Sequence, residues 1–176
     1  MTGKERAEVL ALNNQAIVLA SGGEYTEAIA CFKRAIIIQR DNYLLWYNLG
    51  ITYRDCGDLE NARSSLEKAF QIAPDKDDVL ETLSTICIQQ EEYDAALFYA
   101  QEGIDTKAEN PSFWNLKGVA LFNMEQYESA SECFEQALCL NPYSENALFN
   151  LRDTYTELNN PTGAQECEKR LRDLRK

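Results

Sequence analysis

Alanine recurs at Ala28, Ala62, Ala96, Ala130 and Ala164, a constant step of 34 residues along a chain of 176. A fixed period of that length marks a repeat architecture, in which a single unit is too small to bury its own apolar face and a neighbour must cover it. Other columns keep the same step. Trp46 and Trp114 share a column with Leu12, Leu80 and Leu148, and Gly50 and Gly118 share one with Ala16 and Ser84. Large and small positions therefore alternate in a fixed pattern, and the units run 9–42, 43–76, 77–110, 111–144 and 145–176, the last cut short.

Within a unit the apolar residues fall at helical spacing. Trp46, Leu49, Gly50 and Tyr53 form one stripe, and after a break at Cys56-Gly57-Asp58 a second stripe follows with Leu59, Ala62, Leu66 and Ala69. The same break is written as Ser21-Gly22-Gly23 in the first unit and Asn159-Asn160-Pro161 in the last. Pro74 and Pro142 occupy one column near the unit's end, and Pro111 suits the first turn of the helix it opens. The pattern predicts helix, tight turn, helix, five times over.

The string Trp46-x-x-Leu49-Gly50-x-x-Tyr53, followed by Ala62, Leu66, Ala69 and Pro74, resembles the tetratricopeptide repeat family, and the likeness extends over essentially the whole chain. Unit four repeats it with Trp114, Gly118, Leu121, Tyr127, Ala130, Phe134, Ala137 and Pro142, with Lys117 where leucine is usual. Unit one keeps Ala28, Phe32 and Ala35 but has Arg40 in place of proline. Unit three departs furthest, with Cys87 for tyrosine, Ala100 for the aromatic and Gly103 for alanine, and is the expected weak link. The resemblance implies one domain over 1–176, an all-α, right-handed α-solenoid of five helix-turn-helix repeats. Unit five acts as its cap, because Glu168 stands where Phe32 and Phe134 sit and Arg152 replaces the small residue. Small residues let helix axes approach while Trp, Tyr, Phe and Leu fill the flanking space, so the aromatic columns are expected to be core.

Composition narrows the chemistry. The chain has no histidine, which removes a Ser-His-Asp triad, a Cys-His pair and every imidazole zinc site. No phosphate-cradling glycine loop is present, and Asp75-Lys76-Asp77-Asp78 lacks the glycine and distal glutamate of a calcium loop. We expect no enzyme, no catalytic residue, no metal and no cofactor. A net charge of −12 opposes nucleic acid and anionic membrane alike. The basic C-terminal cluster of Lys169, Arg170, Arg172, Arg175 and Lys176 is interleaved with Glu166, Glu168 and Asp173. Six cysteines without a CxxC pair read as reduced thiols. With no signal-like or membrane-spanning apolar run, the expected location is the cytoplasm.

The resemblance implies that function lies on a concave groove lined by the first helix of each unit, where an adaptor or scaffold holds a partner's peptide or helix. By phase, the groove residues are Asn13, Asn14, Tyr47, Asn48, Ile51, Asp78, Glu81, Asn115, Phe122, Phe149 and Asn150. An asparagine amide both donates to and accepts from a peptide backbone, and Tyr47, Phe122 and Phe149 are candidate anchors for apolar side chains. Members that clamp a chaperone's C-terminal carboxylate use Lys and Arg at places held here by Asn13, Ile17, Asn48, Asp78 and Thr82. The cations are absent, so chaperone tails are not expected partners. Acidity concentrates in unit 77–110, with Asp78 and Glu81 in the groove. It serves either solubility or a partner with basic and apolar side chains. The rival reading is a homo-oligomeric chaperone or structural assembly protein, with array ends pairing as a homodimer.

Overall fold

The computed structural model describes residues 2–175; Met1 and Lys176, the last cation of the C-terminal cluster, lie outside the described residues. Among the described residues ten α-helices follow one another: α1 (Gly3–Ser21), α2 (Tyr25–Ile38), α3 (Tyr43–Asp55), α4 (Leu59–Ile72), α5 (Asp77–Gln89), α6 (Tyr93–Thr106), α7 (Pro111–Asn123), α8 (Tyr127–Leu140), α9 (Glu145–Glu157) and α10 (Pro161–Leu174). No strand forms among the described residues, and the expected all-α repeat fold is present. Two compact units can be distinguished, Met1–Val79 and Leu80–Lys176, with the boundary inside α5.

Side-chain caps start six of the helices. Thr2 and Glu5 form a reciprocal capping box on α1, with the Glu5 N–H donating to Thr2 Oγ1 at 3.3 Å and the Thr2 N–H to Glu5 Oε2 at 2.6 Å. Asn42, Asp58, Asn110, Ser144 and Asn160 each accept an N–H from the first turn of the helix they precede. Bonds from Asn61 hold the Asp58 carboxyl below its usual range.

Every hairpin turns on one column. Gly23, Gly57, Glu91, Glu125 and Asn159 all take positive φ, between 54° and 86°. The next residue then donates its N–H to a carbonyl five positions back, as Asp58 does to Tyr53 (2.9 Å) and Gln126 to Leu121 (3.0 Å). This is the closure of a helix that ends on a left-handed residue, and it sets the phase of each second helix.

In the first unit Ala16, Ala28, Phe32, Ala35, Leu45, Leu49, Ala62, Leu66 and Ala69 are buried. A Cβ on Gly50 would stand 2.6 Å from Leu66, so α3 and α4 approach as only a glycine there permits. In the second unit Gly118 lets Phe134 in by the same device. Leu121, Phe134, Leu138, Leu148, Leu151 and Leu171 continue that core. In the fifth repeat Glu168, Lys169 and Arg172 are exposed on α10.

Trp46 and Trp114 stand at the margin of the core, with Trp114 packed against it. Each is only half-buried and donates its indole N–H to a carbonyl six residues earlier, of Arg40 and of Ala108, both at 2.8 Å. The indole donor needs a partner when it loses water, so these rings sit at the edge and fasten the connection between repeats. None of the six cysteines is joined in a disulfide. Burial pushes the thiols of Cys133 and Cys167 up, which keeps them protonated as packing groups.

Candidate functional site

The helical phase of α1 and α3 brings Asn13 and Asn48 together. Asn48 Nδ2 donates to Asn13 Oδ1 at 3.1 Å. One donor and one acceptor are thereby consumed, and Asn13 Nδ2 and Asn48 Oδ1 keep their hydrogen-bonding capacity. Three periods on, Asn150 Nδ2 donates to Asn115 Oδ1 at 3.0 Å, the same pair made by α7 and α9.

Each amide pair stands between two cavities. In the first unit a cavity of about 530 Å³ opens beside Asn13, lined by Arg6, Leu10, Gln39, Asn42 and Leu44. A second, of about 210 Å³, lies toward the C-terminal ends of the helices, against Ile17, Phe32, Asn48 and Ile51. The second unit has counterparts in the same phase. Ser112, Asn115, Asn141, Ser144 and Asn146 line one of about 240 Å³ together with Glu81, and Val119, Phe122, Phe134, Asn150 and Asp153 line one of about 220 Å³. The first unit offers apolar side chains on both sides of its amide pair, with Leu10 and Leu44 exposed. The second offers polar groups on one side and Phe122 on the other.

The remaining predicted residues distribute as follows. Asn14 is exposed on α1 and Tyr47 half-buried on α3. Asp78 is exposed at the start of α5, its Oδ1 accepting the Val79 N–H at 2.9 Å. Glu81 Oε1 accepts from Asn110 Nδ2 at 2.9 Å, which ties this carboxylate to the residue that caps α7. Phe149 is covered: the guanidinium groups of Arg152 and Arg175 lie 4.9 and 5.3 Å from its ring centroid. It is a platform for the protein's own cations, whereas Phe122 meets Tyr127 edge-on and still faces a cavity.

The cavities also recruit residues that phase on the first helices does not reach. Phe32 and Phe134 come from second helices, and Gln39, Asn42, Asn141 and Ser144 from connections between repeats. The recurrence of a capping residue at Asn42, Asn110 and Ser144 is the one sequence signal that points to the connections. Among the described residues no group of three or more His, Cys, Asp or Glu is placed to hold a metal ion. No described helix is long and apolar enough to cross a membrane.

Against known proteins, tetratricopeptide repeat models match residues 41–109 and 111–144, and a TPR repeat model matches 18–54. Two relatives are BBSome complex members, BBS4 of Bos taurus at 25% identity and bbs-4 of Caenorhabditis elegans at 23%, each over 129 residues or 73% of this chain. The chain spans 25% and 28% of their lengths. MamA from Desulfovibrio magneticus has a similar structure, with a TM-score of 0.87 at 18% identity over 96% of this chain and 95% of that one. YrrB, described as a TPR protein with an unusual peptide-binding site, gives 0.79 at 23% identity, covering 97% and 89%. At these identities the structural likeness is one of fold.

Proposed function

The chain belongs to the tetratricopeptide repeat family, and on that premise we propose that it is a non-catalytic adaptor or scaffold holding an extended peptide of a partner protein against its first helices. The observation that carries this reading is the pair of asparagine contacts, Asn48 to Asn13 and Asn150 to Asn115, each with an open donor and acceptor between two cavities. A peptide group presents one N–H and one C=O, so such a pair grips backbone without demanding a sequence, and the cavities read the side chains on either side. The description of YrrB as peptide-binding, and membership of the BBSome complex for the two relatives, support protein partners.

The partner's chemistry follows from the lining. Leu10, Ile17 and Leu44 favour apolar side chains, and the acidic residues of 77–110 favour basic ones nearby. Capture should then weaken as salt rises. Nucleic acid, membrane lipid and chaperone carboxylate tails fit neither the charge nor the groove residues. Six cysteines without a disulfide suit a reducing cytoplasm.

The test is capture from the source organism's lysate by wild-type protein beside an Asn48→Ala, Asn150→Ala variant matched for helicity and melting temperature. A partner held by wild type and lost by the variant is the expected result. Equal capture by both would move binding to another face. A ligand-independent dimer that captures nothing would hand the function to self-assembly.

A further inference from the structure

The cavity at the C-terminal end of the first helices is built twice. In the first unit Ile17 forms a wall, Phe32 the floor and Asn48 the rim. Three repeats on, Val119, Phe134 and Asn150 take the same places, and the volumes are about 210 and 220 Å³. The hydrogen-bond frame is copied too. Ser21 Oγ donates to the Ile17 carbonyl at 2.9 Å where Asn123 Nδ2 donates to the Val119 carbonyl at 2.8 Å. Thr52 Oγ1 donates to the Asn48 carbonyl and Thr154 Oγ1 to the Asn150 carbonyl, both at 2.7 Å. Each of these polar groups is already satisfied.

Charge at the mouth is neutralised in both places. Asp55, on the rim of the first cavity, is paired with Arg54 at 2.8 Å, and Asp153, on the rim of the second, with Arg152 at 2.7 Å. What remains open, beside the second carboxylate oxygen of each paired aspartate, is an apolar wall and one amide acceptor, Asn48 Oδ1 or Asn150 Oδ1. A neutral mouth is complementary to an uncharged side chain, because a charged one would shed water without finding a free counter-charge. Drug-sized ligands occupy pockets that start at about 300 Å³, so these smaller voids suit a single side chain. Close packing would ordinarily fill such a space with a larger residue. Ile17 instead keeps 43% of its surface exposed.

We propose that the two cavities are receptors of one class, each for one uncharged aliphatic side chain of an extended peptide whose own N–H donates to Asn48 Oδ1 or Asn150 Oδ1. The chain then has two binding sites of one kind, one per unit, and suits a partner that presents the same short element twice. This rests on the reading of the first helices as a peptide-binding surface. The walls differ at Ala20 against Phe122 and at Ile51 against Asp153. The two sites therefore share a ligand class while differing in affinity.

The experiment is proton–nitrogen correlation NMR of the full chain, following the side-chain amide signals of Asn48 and Asn150 during titration with N-acetyl-L-leucinamide. N-acetylglycinamide carries the same amides without the side chain, and N-acetyl-L-argininamide carries a charge. Both asparagine signals should move with the leucine probe, and both controls should bind at least about tenfold more weakly, the worth of burying one aliphatic side chain. The exposed Ser21→Trp should silence the Asn48 response alone, and Asn123→Trp the Asn150 response alone, each with an unchanged circular dichroism spectrum. A response at one site only, at neither, or equal for the glycine and leucine probes overturns the two-receptor assignment. The lysate comparison is separate: capture lost in the Asn48→Ala, Asn150→Ala variant would uphold the groove reading even then.

Discussion

Gly103 on α6 leaves room for the ring of Phe113 on α7, and a methyl group at that glycine would overlap the ring carbons. The departure of the third repeat from its neighbours is thus matched by a larger residue in the fourth, Phe113 being fully buried. Gly103→Ala is expected to lower unfolding stability by about 1–3 kcal/mol, the usual cost of overpacking, and Phe113→Leu in the same chain to restore part of it. Urea unfolding of the four members of that cycle measures both.

The hairpin column gives a prediction of opposite sign. Glu91 and Glu125 adopt φ of 61° where Gly23 and Gly57 stand in the first two repeats, and both glutamates are exposed. A residue with a Cβ is disfavoured in that region by roughly 1–2 kcal/mol, so Glu91→Gly and Glu125→Gly should each stabilise by about 1 kcal/mol. Gly57→Ala should destabilise by about as much. Thermal melts of the three single variants test the column.

Tyr155 donates its hydroxyl to Glu135 Oε1 at 2.6 Å, and burial followed by that bond raises its pKa above the ordinary phenol range. A tyrosine in the unfolded chain ionises near about pH 10, so the folded state holds the proton longer. The stabilisation is whole below that pH and is lost as pH rises through the raised folded value. Tyr155→Phe should melt lower than wild type at pH 7, and the gap should shrink above pH 10. A gap constant with pH would show that the hydroxyl contributes nothing specific.

Removing one amide of an asparagine pair is expected to separate binding from folding. Asn48 and Asn13 are half-buried and bonded to each other, so Asn48→Ala should cost no more than about 1 kcal/mol, the net worth of one such bond. Partner affinity should fall far more steeply. Denaturant unfolding and a binding isotherm on the same preparation make the comparison.

Fold was legible because it repeats. A 34-residue step in alanine and in the Trp46 and Gly50 columns set the phase of the helices, and the turns at Gly22-Gly23, Gly57-Asp58 and Asn159-Asn160 fall where those residues marked them. The Trp columns were legible as positions and not as environments, since periodicity cannot tell a buried ring from an indole reaching back to the carbonyl of Arg40. The candidate site was partly legible. Phase placed Asn13, Asn48, Asn115 and Asn150 on the first helices, but the amide contacts join residues 35 apart, across two neighbouring columns, which a single-column reading does not pair. Phe149 passed for an open anchor because the cations over it arrive from Arg152 and from the distant Arg175.

The central claim is that partners bind along the first helices, and site-specific photo-crosslinking in cells tests it most directly. A benzoylphenylalanine replaces Tyr47 on α3, or, as the comparison, Tyr143, which is 75% exposed in the connection after α8. The account predicts a protein crosslinked through position 47, its attached peptide extended and carrying aliphatic residues, lost when Asn48→Ala is added and absent from position 143. Crosslinks from position 143 alone, or crosslinks from position 47 indifferent to Asn48, would contradict it.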